Sequence, residues 1–149
     1  MQMSLQDLEE KGFLEKIPAD RKEIENLISL AEGHLADTHV EGLRSDSVLI
    51  HAYEAARTLA LVALRSCGYR PRSGSAAHVV TIDSLLHSVG VERNFIAQLH
   101  TLRNKRHRNI YDAAGATTRH DADEAVTCAE NLKQTVLNWL GAQNHFPDE

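Results

Sequence analysis

The amino-acid sequence predicts an all-α protein, an up-and-down bundle of about five helices forming a single domain over residues 1–149. Three observations carry this. Apolar residues recur at helical spacing in nearly every segment, no segment alternates with period two over strand length, and the periodic segments are joined by short connections that imply antiparallel neighbours.

Ser4 and Asp7 are placed to cap a short first segment ending near Gly12. Asp20 and Glu23 form a capping-box pattern after Pro18, and Ile24, Leu27, Ile28, Ala31 and Leu35 keep helical spacing behind it to about Thr38. The turn Glu41-Gly42-Leu43-Arg44 precedes a longer helix starting near Ser45 or Ser47. Its apolar residues Leu49, Ile50, Tyr53, Ala56, Ala60, Leu61 and Leu64 surround most of its circumference, which predicts a central position. Tyr53 is expected in the core with its hydroxyl bonded to a polar neighbour. Gly68 to Ser75 reads as the one long loop, carrying exposed Arg70 and Arg72. A fourth helix follows from about Ala76 to Ser88, with Val79, Ile82, Leu85 and Leu86, and Gly90 ends it. The next helix bears Phe95, Ile96, Leu99, Leu102 and Ile110 on its apolar face and stops at Ala113-Ala114-Gly115-Ala116. A capping box from Asp121 to Glu124 is expected to open the last, through Val126, Ala129, Leu132, Val136, Leu137, Trp139 and Leu140.

Composition sets the class. An apolar fraction of 42% and a charged fraction of 25% are those of an ordinary globular protein. No apolar run approaches the roughly 18 residues that a membrane crossing needs, and Met1 to Leu14 is too acidic for a signal peptide, so a cytoplasmic location is the expectation. Cys67 and Cys128 have no metal or redox spacing and are expected as buried free thiols.

The segment Leu102-Arg103-Asn104-Lys105-Arg106-His107-Arg108-Asn109-Ile110-Tyr111-Asp112 stands apart. It gathers four fixed cations and a histidine in a chain whose net charge is -5. An acidic body argues against broad nucleic-acid coating, whereas a local basic cluster can hold one phosphate-bearing ligand in place. At about 100° per residue, Arg106 falls on the middle line of the apolar face. A guanidinium there needs a carboxylate partner, Glu54 or Asp112, or a wet interface, because burying it unpaired costs several kcal/mol.

The segment Asp46-Ser47-Val48-Leu49-Ile50-His51-Ala52-Tyr53-Glu54-Ala55-Ala56-Arg57, the loop to His78, and the basic helix closing on Arg106-His107-Arg108-Asn109-Ile110-Tyr111-Asp112 together resemble HEPN domains. The resemblance runs from about Ile17 to Leu140 and rests on the order of short motifs. It implies a helical bundle that dimerises through the helices flanking the basic motif. Many such domains are metal-independent endoribonucleases of toxin–antitoxin or defence systems; others are inert partners of nucleotidyltransferases. Active members carry an arginine, a polar residue and a histidine a short distance further on. Metal-free RNA cleavage needs a base for the 2′-hydroxyl, an acid for the leaving oxygen and a cation for the phosphorane, tasks suited to histidine and arginine near neutral pH.

Two alignments of the motif are open. Taking Arg106 as its arginine puts His107 in the polar position and Tyr111 where the histidine stands, and an unperturbed tyrosine titrates near pH 10. Taking Arg103 supplies Asn104 and His107, four positions apart on one helix face but closer than the family's spacing. Arg103, Arg106, His107 and Tyr111 are thus the candidate catalytic residues, and Asn104, Lys105, Arg108 and Asn109 the candidate phosphate-binding ones. The plain alternative is a solvated helix face, where cations near a helix C-terminus contribute about 0.3–1 kcal/mol each.

The functional expectation is a homodimer that binds RNA or nucleotide phosphate, with an antitoxin or nucleotidyltransferase as a further partner. A metal-independent endoribonuclease and a purely structural dimerisation module are the alternatives, and the sequence does not decide whether the chain is an enzyme. No cofactor or metal is expected. There is no phosphate-binding glycine loop, no nucleophile elbow and no His-Glu-x-x-His pattern, and His34 and His39 are awkwardly spaced for two ligands on one helix.

Overall fold

The computed structural model describes residues 4–111 and 116–142. The side chain of Tyr111, together with Asp112 and the expected turn at Ala113, Ala114 and Gly115, lies outside the described residues. The described elements run α1 (Leu5–Glu10), β1 (Leu14–Lys16), α2 (Arg21–Asp37), α3 (Ser45–Ser66), β2 (Tyr69–Pro71), α4 (Ala77–Asp83) with a 3-10 turn (Ser84–Leu86), α5 (Arg93–Tyr111) and α6 (Arg119–Ala142). The protein is an all-α bundle, as the apolar spacing predicts.

Helix α3 is the hub. It packs against α2 and α6 along much of its length and meets α4 and α5 as well. Leu49, Ala52, Ala55, Leu59, Ala60, Val62, Ala63 and Leu64 are fully buried along it, which explains why apolar residues surround most of its circumference. By length and composition alone α3 is apolar enough to cross a membrane, contrary to the expectation that no segment is. His51, Glu54 and Arg57 interrupt its apolar run, and its apolar surface is covered by the neighbouring helices.

Several local details differ from the sequence-based expectations. Ser4 and Asp7 do form a reciprocal capping box at α1. Asp20 caps α2 by accepting from the Lys22 amide at 3.1 Å, but Glu23 does not close a box there; it reaches across to Arg65. At α6 the reciprocal pair is Thr118 and Asp121 rather than Asp121 and Glu124, so the helix begins at Arg119. On α5 the buried position after Leu102 and Arg106 is Asn109, while Ile110 is 42% exposed. A seven-residue step returns to within about 20° of its start, so the line from Leu102 lands on Asn109 and leaves Ile110 turned well away. Cys67 and Cys128 are half-buried free thiols, and burial raises both, Cys128 to about 11, which keeps them inert.

The expected long loop is partly strand. Tyr69–Pro71 pairs antiparallel with Leu14–Lys16, Leu14 opposite Pro71 and Lys16 opposite Tyr69. Three-residue strands are too short to show period-two alternation, which is why the sequence does not announce them. Gly68, at φ 87°, turns the chain out of α3 into this ladder. The ladder is tied down by Arg65, buried to 4% exposure at the end of α3. Its guanidinium donates to Glu23 at 2.7 Å and to the carbonyl oxygens of Pro18 at 2.9 Å and of Ile17 and Tyr69 at 3.2 Å each. One side chain thus joins α3, α2 and both strands.

Arg65→Ala therefore orphans three carbonyls and a carboxylate at once. It should lower the unfolding free energy by about 3 kcal/mol, with Arg65→Lys recovering only part, because one ammonium cannot span the same fork. Urea denaturation at constant slope is the check; a loss within experimental error would contradict the role given to Arg65.

Candidate functional site

Three helices converge on one carboxylate. Tyr53, Glu54 and Arg57 lie in the middle of α3, His78 is the second residue of α4, and Arg103 and Arg106 come from α5. Glu54 and Arg57, one turn apart, pair at 2.8 Å between Oε2 and Nη2. Arg106 reaches the other oxygen, Oε1, through Nη2 at 3.4 Å. Of the two partners the sequence offers Arg106, the structure pairs it with Glu54; Asp112 lies outside the described residues. The Arg106 guanidinium also sits 5.4 Å from the Tyr53 ring centroid, a cation–π distance. The apolar face of α5 therefore accommodates a cation by resting it on an aromatic ring and an anion of α3.

Tyr53 is fully buried, and its hydroxyl lies 2.9 Å from His78 Nδ1. Burial pushes the phenol up to about 12 against the lowering pull of Arg57 and Arg106, so the hydroxyl stays protonated. His78 is pushed down from the usual histidine range, first by burial and then by the charge of Arg57, with Arg106 and Arg103 adding to it and Glu54 opposing. It is therefore neutral near pH 7 and able to accept a proton. Glu54 is subject to a raising effect of burial, but the hydrogen bond and charge of Arg57 and the charge of Arg106 outweigh it and hold the carboxyl below its ordinary value.

Arg103 belongs to the same field, since its charge bears on both Tyr53 and His78. It is oriented from behind. Its Nε donates to His100 Nδ1 at 3.4 Å, which leaves the ring proton on Nε2, 2.6 Å from Asp83. The Nε groups of Arg57 and Arg106 are buried without a hydrogen-bond acceptor among the described residues. Among the described residues, Arg57 and Arg106 thus bring two guanidiniums to one carboxylate, which leaves an excess of positive charge around Glu54.

The other residues singled out from the sequence are scattered. Asn104, His107 and Arg108 are exposed on α5. Lys105 turns toward α6 and pairs with Asp121 at 3.0 Å, which together with Thr118 holds that carboxyl below its usual value. The cavity beside them, about 520 Å³, also presents Asp123 and Glu124, so its lining repels phosphate. Asn109 is buried, its amide donating to the Asp46 carbonyl at 3.2 Å, which makes it a tie between α5 and the start of α3. The Tyr111 side chain lies outside the described residues. Sequence reading missed Arg57, His78, His100 and Asp83 as members of the site. The available signal was the row of polar interruptions in the apolar run of α3.

Searches against protein-family models, curated proteins and solved structures find no match to this chain.

The depressed titration of His78 has a consequence for stability. Its folded-state pKa lies below the unfolded value of about 6.5, so the folded chain binds fewer protons there. The corresponding stability is present above that value and is lost as pH falls through the folded pKa. Between pH 7.5 and 5, wild type should lose more thermal stability than His78→Gln, in which this proton is removed from the balance. Parallel melting-temperature profiles for the two proteins would contradict the environment assigned to His78.

Proposed function

We propose that the protein is a HEPN-like homodimer that binds RNA or a nucleotide phosphate through Arg57, Arg103 and Arg106, as part of a toxin–antitoxin or defence-type system. The carrying observation is the convergence of Arg57 and Arg106 on Glu54, with Arg103 held alongside, next to a neutral histidine and a protonated tyrosine. Glu54 engages Nη2 of each guanidinium, and the planar fork of a guanidinium is a donor geometry that matches phosphodiester oxygens. Exposed Asn104, His107 and Arg108 extend the positive surface along α5. The exposed Ile110 on the same helix supports a second copy seated at this end, which would bring two clusters to one strand of RNA. An antitoxin or a nucleotidyltransferase is the protein partner this reading entails.

A second reading, metal-independent RNA cleavage, is favoured by the His78–Tyr53 pair. An imidazole that is neutral near pH 7 has a lone pair to act as a base, and the guanidiniums beside it supply the cations that a phosphorane needs. In this reading His78 rather than exposed His107 is the base, and Tyr53 fixes its ring.

The two readings separate in one assay on the full chain with short single-stranded RNA. Binding by fluorescence anisotropy should weaken as salt rises, with a log–log slope of about -0.7 per phosphate neutralised. Arg103→Ala and Arg106→Ala should each weaken it about tenfold, while sedimentation shows a dimer. Absent binding at low salt, or affinities untouched by both substitutions, would leave only a structural dimerisation module. Product analysis of the same mixtures in chelator tests cleavage. A 2′,3′-cyclic phosphate lost in His78→Gln and kept in His107→Ala establishes the enzyme with His78 as its base; intact RNA leaves a binder.

A further inference from the structure

The two histidines His34 and His51 face one another across the α2–α3 interface with their Nδ1 atoms 3.1 Å apart. Asp37, one turn beyond His34 in the last turn of α2, brings Oδ2 to 3.8 Å from the same His51 nitrogen, and the three donor atoms lie within 4.8 Å of one another. We propose that His34, Asp37 and His51 form a binding site for a divalent transition-metal ion of the zinc class, independent of the phosphate site formed by α3, α4 and α5.

The geometry suits a shared cation as well as it suits a hydrogen bond. Ligand bonds of about 2.0–2.1 Å in a tetrahedral site put neighbouring donor atoms roughly 3.3 Å apart, which is close to the spacing the two imidazoles already have. The third donor has to close only a short distance. Asp37 is 56% exposed, so a change of its side-chain rotamer is unhindered. A shared proton engages the two Nδ1 atoms alone, whereas a metal ion takes both and adds the carboxylate. The rings are tilted by 40° rather than stacked, so packing alone does not account for their approach.

Two further features suit a cation. His34 and Asp37 stand in the last turn of α2, the negative end of a 17-residue helix, where backbone carbonyls add favourable potential. Both histidines are half-buried while Asp37 is exposed, so protein closes one side of the site and solvent reaches the other. Three protein ligands with room for water is the pattern of an open zinc site. Two imidazoles and one carboxylate select zinc, cobalt or nickel; magnesium and calcium prefer all-oxygen sets. The ion would clamp the end of α2 to the second turn of α3, on the helix that also carries Glu54.

The experiment uses the full chain without a polyhistidine tag, stripped with chelator and desalted. Calorimetric titration with Zn²⁺ should show one ion per chain, and Co²⁺ should give the visible absorption of a four- or five-coordinate ion. Zn²⁺ should raise the melting temperature, and His34→Gln and His51→Gln should each abolish the stoichiometric event. His120→Gln, which alters an exposed histidine of α6, should leave it unchanged. Asp37→Ala touches only an exposed side chain, so it decides the matter even where a histidine variant fails to fold. Weakened Zn²⁺ binding in Asp37→Ala supports the site. No stoichiometric binding in wild type, or affinity unchanged in Asp37→Ala, overturns it.

Discussion

A guanidinium on the apolar face of a packed helix has to be neutralised from across the interface, and Glu54 is the group that does so. At an effective dielectric of about 20, attraction between unit charges near contact is worth roughly 4 kcal/mol before desolvation. Removing two ions from water costs several kcal/mol in turn. The Arg106 and Glu54 side chains are 24% and 19% exposed, which places the pair between the surface and interior limits. Its net contribution to stability is accordingly modest. What it fixes is geometry: the rotation of α5 relative to α3, the seat of Arg106 over Tyr53, and through Tyr53 the position of His78.

The molecule solves the same problem twice with different chemistry. At the end of α3, Arg65 is almost wholly enclosed and is satisfied mainly by main-chain carbonyls, which carry no charge and cannot be lost by titration. That arrangement engages four of its five N–H donors, as a structural cation should. In the middle of α3, Arg57 and Arg106 share one carboxylate and keep buried Nε donors without acceptors among the described residues. The contrast in partners separates a guanidinium held mainly by main-chain carbonyls from two that converge on one carboxylate.

Much of this was legible in the sequence, and the limits have physical causes. Helical spacing reveals each helix because it is a local property. The position of Arg106 among Phe95, Ile96, Leu99 and Leu102 marks it as a residue that needs a partner, and Glu54 could be named because it too interrupts an apolar run. Arg65 has no such mark, since three of its four acceptors are main-chain carbonyls and a carbonyl has no signature in sequence. His78 and the pair His34 and His51 were missed for a related reason. Spacing within one segment says nothing of them, because the neighbour of each lies on another helix. The shift from Ile110 to Asn109 at the end of α5 shows how a small phase error accumulates over two turns. It also reassigns Asn109 from ligand contact to a tie with Asp46.

The central claim is that Glu54 holds Arg106 on the face of α3, so a double-mutant cycle between them is the most direct test. Glu54→Gln, Arg106→Met and the combination would be compared by urea denaturation of the full chain. The account predicts non-additivity, with the double variant more stable than the sum of the single losses by about 1–3 kcal/mol, because each single change leaves the other ion half-buried. Additive losses, within about 0.3–0.5 kcal/mol, would show that the two side chains are neighbours without being partners.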